Sequence, residues 1–314
     1  MSFHNQHIIS VDQFTTEMID SLFRLSQKME PIVQNRKGPK PLNGYVLGNL
    51  FFEASTRSRM SFASAFYYLG GLVNSTVGMV FSSISKGETL ADTIRVIQSY
   101  CDIIALRHPE IGSACEAASI SRVPIINAGD GHGEHPTQAL LDLYTIFLEK
   151  GTLDHLTITM VGDLRFGRTV HSLARLLCLQ KGIRFKFVAP QVVQMPEDIV
   201  TEIKGKGFEV EISEDLNEAM KSSDIIYSTR IQRERFEHPK DYESIENLYI
   251  LTKEKIQSLC KKDVSILHPL PRTNEIDTGV DEMSQAAYFR QAQNGLYVRM
   301  ALFLLVLGRE SDIQ

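Results

Sequence analysis

The stretch Phe51-Phe52-Glu53-Ala54-Ser55-Thr56-Arg57-Ser58-Arg59 sets hydroxyls and guanidiniums side by side directly after an apolar run. That run, Tyr45 to Phe52, reads Tyr-Val-Leu-Gly-Asn-Leu-Phe-Phe, as a strand covered on both faces should. Helical spacing takes over at Met60, Phe62, Ala63, Phe66, Tyr67 and Leu69 and stops at Gly70-Gly71. A helix beginning here presents unsatisfied N–H groups and a positive dipole end. Ser55, Thr56 and Ser58 add hydroxyl donors, and Arg57 adds a planar fork suited to phosphate oxygens. The expected ligand is an oxyanion. Singly, Ser55 would serve as a helix cap and Arg57 and Arg59 as solvated side chains; their combination argues for a site. No Gly-x-x-x-x-Gly-Lys-Ser/Thr string occurs, and no Gly-x-Gly-x-x-Gly follows a strand. A small phosphorylated substrate therefore fits better than a nucleotide.

Further residues able to do chemistry follow predicted strands. Arg107 stands in Leu106-Arg107-His108-Pro109, and His135 and Gln138 in Glu134-His135-Pro136-Thr137-Gln138, where Pro136 opens a helix. Arg168 follows Gly167 at a strand-to-helix turn, and Arg230 precedes Gln232 by two positions. Two guanidiniums suit two carboxylates, so they point to a diacid. Pro269 and Pro271 fix the backbone after the strand Ser265–Leu267, a geometry that aims the carbonyl of Leu270. Ser82 and Lys86 lie in a polar segment between Gly78 and Gly87, which taken alone reads as a solvent loop. An acid at the end of a buried strand is costly unless paired, so Glu53 is expected to pair, with Arg168 or Arg235 as partner. His132 and His135 share a loop without a third ligand, so no metal is expected.

These segments carry a resemblance. Ser-Thr-Arg-Ser-Arg after Phe-Phe-Glu is similar to the carbamoyl phosphate motif of the aspartate/ornithine carbamoyltransferase family. The later segments resemble that family's motifs in order: Ser82-Ser83-Ile84-Ser85-Lys86-Gly87-Glu88-Thr89, Leu106 to Pro109, His135 to Gln138, Gly162 to Val170, Thr229 to Gln232, and His268 to Arg272. Together they run from Phe51 to Arg272 of the 314 residues. Departures are mild: Ser58 stands where threonine is usual, Ser85 where some relatives have a second lysine, and Arg165 where some have lysine. The resemblance implies two doubly wound α/β parallel-sheet domains with the active site in the cleft between them. Residues 1–136 plus a C-terminal helix over 293–314 would bind carbamoyl phosphate, and residues 137–292 aspartate.

The resemblance also implies roles. Ser55, Thr56, Arg57, Ser58, Arg107, His135, Gln138, Ser82 and Lys86 would hold carbamoyl phosphate, and Lys86, Arg168, Arg230, Gln232, Leu270 and Pro271 aspartate. Arg57, Ser58, Lys86, Arg107 and His135 would act in catalysis, His135 by facing the carbonyl oxygen. Lys86 would reach into a neighbouring subunit's site, which makes the active unit a homotrimer, and the Leu270–Pro271 bond would be cis. No cofactor and no metal are implied. Relatives occur as bare trimers, with regulatory chains or with a dihydroorotase partner, and all three stay open. An arginine-rich site repels cationic ornithine, and the ornithine branch carries cysteine where this chain has Pro269, so aspartate is the expected acceptor. Transfer to another amine, and a non-catalytic scaffold in a pyrimidine assembly, are the alternatives.

The rest of the chain sets bounds. A length of 314 residues allows two domains, and a hydrophobic share of 43% is that of a globular protein. The net charge of −5 and the lack of a long basic run argue against nucleic acid. Cys101, Cys115, Cys178 and Cys260 are scattered among apolar residues and read as reduced core positions of a cytoplasmic protein. Met1 to His7 lack a secretory pattern, and the most apolar stretch, Leu296–Leu307, is too short to span a membrane and contains Arg299. Alternating apolar strands and amphipathic helices predict parallel sheets. The first series has strands near 45–52, 72–76, 103–106 and 123–127; the second has strands near 156–161, 184–189, 209–212, 225–228 and 265–267.

Overall fold

Nine apolar segments pair as parallel strands in two separate sheets, and the helices between them supply the crossovers. The computed structural model describes residues 3–36, 38–78, 87–232, 245 and 247–313. The strands are β1 Val46–Phe51, β2 Leu72–Val77, β3 Ile103–His108, β4 Ile125–Asp130, β5 Thr157–Val161, β6 Arg184–Val188, β7 Glu209–Ser213, β8 Ile225–Ser228 and β9 Ser265–Leu267. The helices among the described residues are α1 Thr16–Gln27, α2 Met29–Asn35, α3 Thr56–Tyr68, α4 Leu90–Ile97, α5 Ser113–Ile120, α6 Pro136–Lys150, α7 Arg168–Leu177, α8 Glu197–Gly205, α9 Leu216–Ser222, α10 Lys253–Leu259 and α11 Tyr288–Leu307. All nine strands lie where the apolar runs predict them. The contact pattern divides the chain into residues 1–140 with 293–314, and residues 141–292.

In the first unit the strand order is β2-β1-β3-β4. The central strands β1 and β3 are apolar and buried because helices cover both faces, whereas β2, at the edge, alternates exposed and half-buried residues. Leu50, Phe52, Ile94, Ile104, Leu106 and Ile125 form one core cluster. On α3, Phe62 and Phe66 pack against Phe303 of α11, with ring centroids 6.0 and 4.9 Å apart in edge-to-face geometry. Cys115 departs from expectation. It is exposed, because α5 turns Ser113, Ala114 and Ala117 inward and leaves position 115 on the solvent side.

In the second unit the order is β7-β6-β5-β8-β9. Val161, Val188, Ile226, Ile266, Ile256 and Tyr288 belong to its core cluster. The backbone after β9 is strapped down by buried polar groups. Tyr227 Oη donates to Asp142 Oδ2 at 2.7 Å, Gln291 Nε2 donates to Asp142 Oδ1 at 2.6 Å, and His268 N donates to Gln291 Oε1 at 2.8 Å. His268 Nε2 then meets Glu275 Oε1 at 2.7 Å, and Arg272 forks onto Asp281 while its guanidinium lies over Tyr288.

Glu275 makes this strap acid-sensitive. Burial raises a carboxyl, but here the hydrogen bonds it accepts, from His268 first and also from Thr273, outweigh it and hold Glu275 down to about 2. A carboxyl held below its ordinary 4.5 contributes stability above that pH, and the contribution is lost as pH falls toward 2. Thermal unfolding followed from pH 5 to pH 2 should therefore fall more steeply for the parent than for Glu275→Gln, by up to ~3 kcal/mol. Equal slopes would contradict the assignment.

Candidate active site

Both sheets reverse their winding at one point. In the first unit the chain leaves β1 to build β2 on one side and returns to build β3 on the other; in the second, β6 and β8 flank β5 in the same way. Ligands of open α/β sheets bind beyond the carboxyl ends of strands at such points, because no crossover helix covers them there. The candidate residues follow the carboxyl ends of β1, β3 and β4 in one unit and of β5, β8 and β9 in the other.

Ser55 is the N-cap of α3 at φ −159° and ψ 98°, yet its hydroxyl makes no capping bond, and the first turn carries no acidic residue. The hydroxyl and the positive end of the helix are thus not spent on the helix itself. Thr56 and Arg57 are exposed, and Ser58 is half-buried one residue further along the same turn. Asn49, fully buried in β1, donates from Nδ2 to the carbonyl of Arg59 at 3.1 Å, which ties the first turn of α3 to the strand beneath it.

Arg107, the penultimate residue of β3, lies beside Phe51 of β1 and is 9% exposed. Its Nη2 lies 2.6 Å from Glu53 Oε2, and its Nη1 donates to the carbonyl of Ala128 at 3.3 Å. Glu53 was expected to pair with Arg168 or Arg235; the ion pair it makes within its own unit is with Arg107. The reason is register: β1 and β3 are adjacent parallel strands, so their carboxyl ends meet. Arg235 lies outside the described residues, as do Ser82 and Lys86.

His135 is buried at the entry to α6, where its carbonyl accepts the N–H groups of Gln138 at 2.9 Å and Ala139 at 3.2 Å. The loop before it is built on Asp130. Its Oδ1 accepts from Glu134 N at 2.8 Å and Asn127 Nδ2 at 3.1 Å, and its Oδ2 accepts from Gly112 N at 3.0 Å. Gly131 is required there, since at φ +50° a Cβ would come within 2.5 Å of the Pro109 carbonyl. Gln138 is half-buried one turn into the helix.

In the second unit Asp163 organises what the sequence reading assigned to Arg168, Arg230 and Gln232. It is fully buried, and burial raises its carboxyl above the usual range. Oδ1 accepts from Phe166 N at 2.9 Å, and Oδ2 accepts from both the backbone N and Nε2 of Gln232 at 3.4 Å. One carboxylate therefore joins the turn that leads into Arg168 to the segment that carries Arg230. Gly162, at φ +113°, allows this approach: a Cβ there would lie 2.1 Å from the Thr229 carbonyl. The sequence reading assigns Asp163 no role, although an acid directly after glycine at a strand end is a signal for one. Arg168, Arg230 and Gln232 are each half-buried.

After β9, Leu270 N donates to His268 Nδ1 at 2.8 Å, so the hydrogen-bond network places a proton on Nε2, facing Glu275. Leu270 has φ +53°, and the Leu270–Pro271 bond is cis. A leucine in the left-handed region costs about 1–3 kcal/mol and persists only where the surroundings enforce it. Here His268 does so. Among the described residues no group of three or more His, Cys, Asp or Glu side chains could hold a metal ion.

The arrangement offers an anion cradle in one unit and two guanidiniums with an amide in the other. Comparison with known proteins gives it a family. Residues 6–147 match the model of the aspartate/ornithine carbamoyltransferase carbamoyl-P binding domain, and residues 154–306 that of its Asp/Orn binding domain. An aspartate carbamoyltransferase catalytic subunit of Methanopyrus kandleri is 48% identical over 98% of this chain and 99% of its own. A crystal structure of aspartate transcarbamoylase from Trypanosoma cruzi with N-(phosphonacetyl)-L-aspartic acid superposes with a TM-score of 0.92 at 40% identity, covering 97% of each chain. The same enzyme in complex with carbamoyl phosphate and aspartate gives a TM-score of 0.91 at 40% identity, covering 97% of this chain and 98% of that one. On these matches, which span both units and nearly every residue, the chain belongs to the aspartate/ornithine carbamoyltransferase family.

Proposed function

We propose that this protein transfers the carbamoyl group of carbamoyl phosphate to the amino group of L-aspartate, giving N-carbamoyl-L-aspartate and phosphate, a step of pyrimidine synthesis. The observation that carries the reading is the near full-length identity of 48% with an aspartate carbamoyltransferase catalytic subunit. The geometry of each unit supports the division of labour. Residues 1–140 with 293–314 bind carbamoyl phosphate, and residues 141–292 bind aspartate.

In this reading the uncharged amine attacks the carbonyl carbon, and charge develops on the carbonyl oxygen. The C–O bond to phosphate then breaks, phosphate leaves with the electron pair, and the amine sheds its proton. Ser55, Thr56, Arg57 and Ser58 hold the phosphate on the uncapped start of α3, with Ser82 and Lys86 added from the polar segment. Arg107 and His135 stabilise the oxyanion, and Gln138 fixes the carbamoyl amide. Arg168, Arg230 and Gln232 take the two carboxylates of aspartate, while the carbonyl of Leu270, fixed by Pro271, orients the amine. This transfer requires no cofactor.

We further propose a homotrimer in the cytoplasm, its Lys86 shared between subunits. Apolar side chains are exposed on one unit at Met60, Tyr67, Leu72, Val77, Val96 and Tyr100, on or beside α3, β2 and α4. Such side chains suit burial against a second copy. The thiols of Cys101, Cys178 and Cys260, pushed up to about 11 by burial, are unpaired, as in a reducing compartment. Among the described residues no helix is long and apolar enough to cross a membrane.

Two experiments test the proposal. With aspartate and ornithine offered separately, product should form from aspartate alone. Arg57→Ala and Arg230→Ala should each lose on the order of 10²-fold or more in kcat/KM. Turnover with ornithine alone would overturn the acceptor assignment, and absence of turnover would return the protein to a scaffold role. For the shared site, Lys86→Ala and Arg57→Ala chains, each inactive, are dissociated, mixed and reassembled. Regained activity is expected; none would count against subunit sharing.

A further inference from the structure

The C-terminal helix carries a buried charge that the reading above does not use. Arg299, in the otherwise apolar stretch Leu296–Leu307 of α11, is 4% exposed. Its Nη1 donates to Ser61 Oγ at 2.9 Å, its Nη2 reaches Thr137 Oγ1 at 3.4 Å, and its guanidinium carbon lies 4.8 Å from the ring centroid of Phe62. Burying a guanidinium is costly, and a leucine or methionine would fill that helix face without the penalty. The contacts indicate what offsets it. Ser61 lies three residues after Ser58 and four after Arg57, so the three share neighbouring positions on one stretch of α3. Thr137, fully buried, stands between His135 and Gln138 at the start of α6. One planar fork therefore joins the two helix starts that carry the carbamoyl phosphate residues. Phe303, one turn further along α11, grips the same helix through Phe62 and Phe66.

We infer that Arg299 is a positioning residue for carbamoyl transfer: it holds the phosphate-binding start of α3 in register with the start of α6, where His135 faces the carbonyl. The inference rests on the assignment of Ser55–Ser58 and His135 to carbamoyl phosphate. It acts on the spacing between two groups of ligands and not on either group alone. Losing it should therefore slow the reaction while leaving the affinity for phosphate in place, because a small misplacement of reacting groups costs rate steeply.

The test compares Arg299→Met and Arg299→Lys with the parent for kcat, KM for carbamoyl phosphate, inhibition by inorganic phosphate and thermal unfolding. Activity is read well below each unfolding temperature. Arg299→Met should lose about 10- to 100-fold in kcat, with phosphate inhibition changed less than about threefold, and Arg299→Lys should recover part of the loss. A folded Arg299→Met with kcat within about twofold of the parent overturns the inference, even if it melts earlier. So does a parallel fall in kcat and phosphate affinity, which would make Arg299 a support of α3 alone. If Arg299→Met does not fold, Thr137→Val decides, since it removes one hydroxyl and keeps the shape: a kcat loss of about threefold or more is expected, and an unchanged kcat overturns the inference. His135→Ala is measured alongside. An unaltered kcat in that variant would overthrow the site assignment and not the role of Arg299 alone.

Discussion

The ion pair between Glu53 and Arg107, 2.6 Å apart where two adjacent parallel strands end, is the constraint around which the first unit's site is built. Its side chains are 11% and 33% exposed for Arg107 and Glu53, so the pair is shielded on the arginine side and open on the other. Removing one partner of a buried pair leaves an uncompensated charge at about 3–5 kcal/mol, which holds both partners in place. Arg107 is thus oriented before any substrate arrives. A guanidinium fixed in advance stabilises developing negative charge without reorganising at the moment of reaction.

The second unit solves the same problem with different chemistry. Its supporting groups are Asp163 and Glu275, two buried carboxylates that hold turns by accepting hydrogen bonds. Asp163 links the segments after β5 and β8, and Glu275 holds His268, which in turn holds Leu270. In the second unit the residues proposed to touch substrate, Arg168, Arg230 and Gln232, are half-buried, while Asp163 and Glu275, which fix the turns around them, are buried one step behind. That division leaves the orienting work in the second unit to groups shielded from water.

Much of this was legible in the sequence, because the signals are local. A short run with apolar residues flanked by turn residues predicts a strand, and nine of them among the described residues are strands. The hydroxyl and arginine cluster after β1 suggests an anion site through helix-start chemistry alone. What was not legible depends on register and phase. The partner of Glu53 is Arg107 because Phe51 lies beside Arg107 across β1 and β3, and no single stretch of sequence states which strands are neighbours. Cys115 is exposed because of where the turns of α5 place it. The strand expected near 123–127 runs instead as β4 through Asp130, with the pairing to β3 shifting between Leu106 and His108. Asp163 and Arg299 were visible as residues, but their roles need the contacts they make with segments 69 and 238 positions away.

The central claim is that the residues gathered at the β1/β3 switch point form a preorganised anion site in which Arg107 is a principal ligand. Its most direct test is calorimetric titration of carbamoyl phosphate into the parent and Arg107→Met, with folding of the variant verified by thermal unfolding. A hydrogen-bonded charge pair is worth about 1.5–3 kcal/mol, so the variant should bind at least ~10-fold more weakly. Binding by a folded variant within about twofold of the parent would contradict the account.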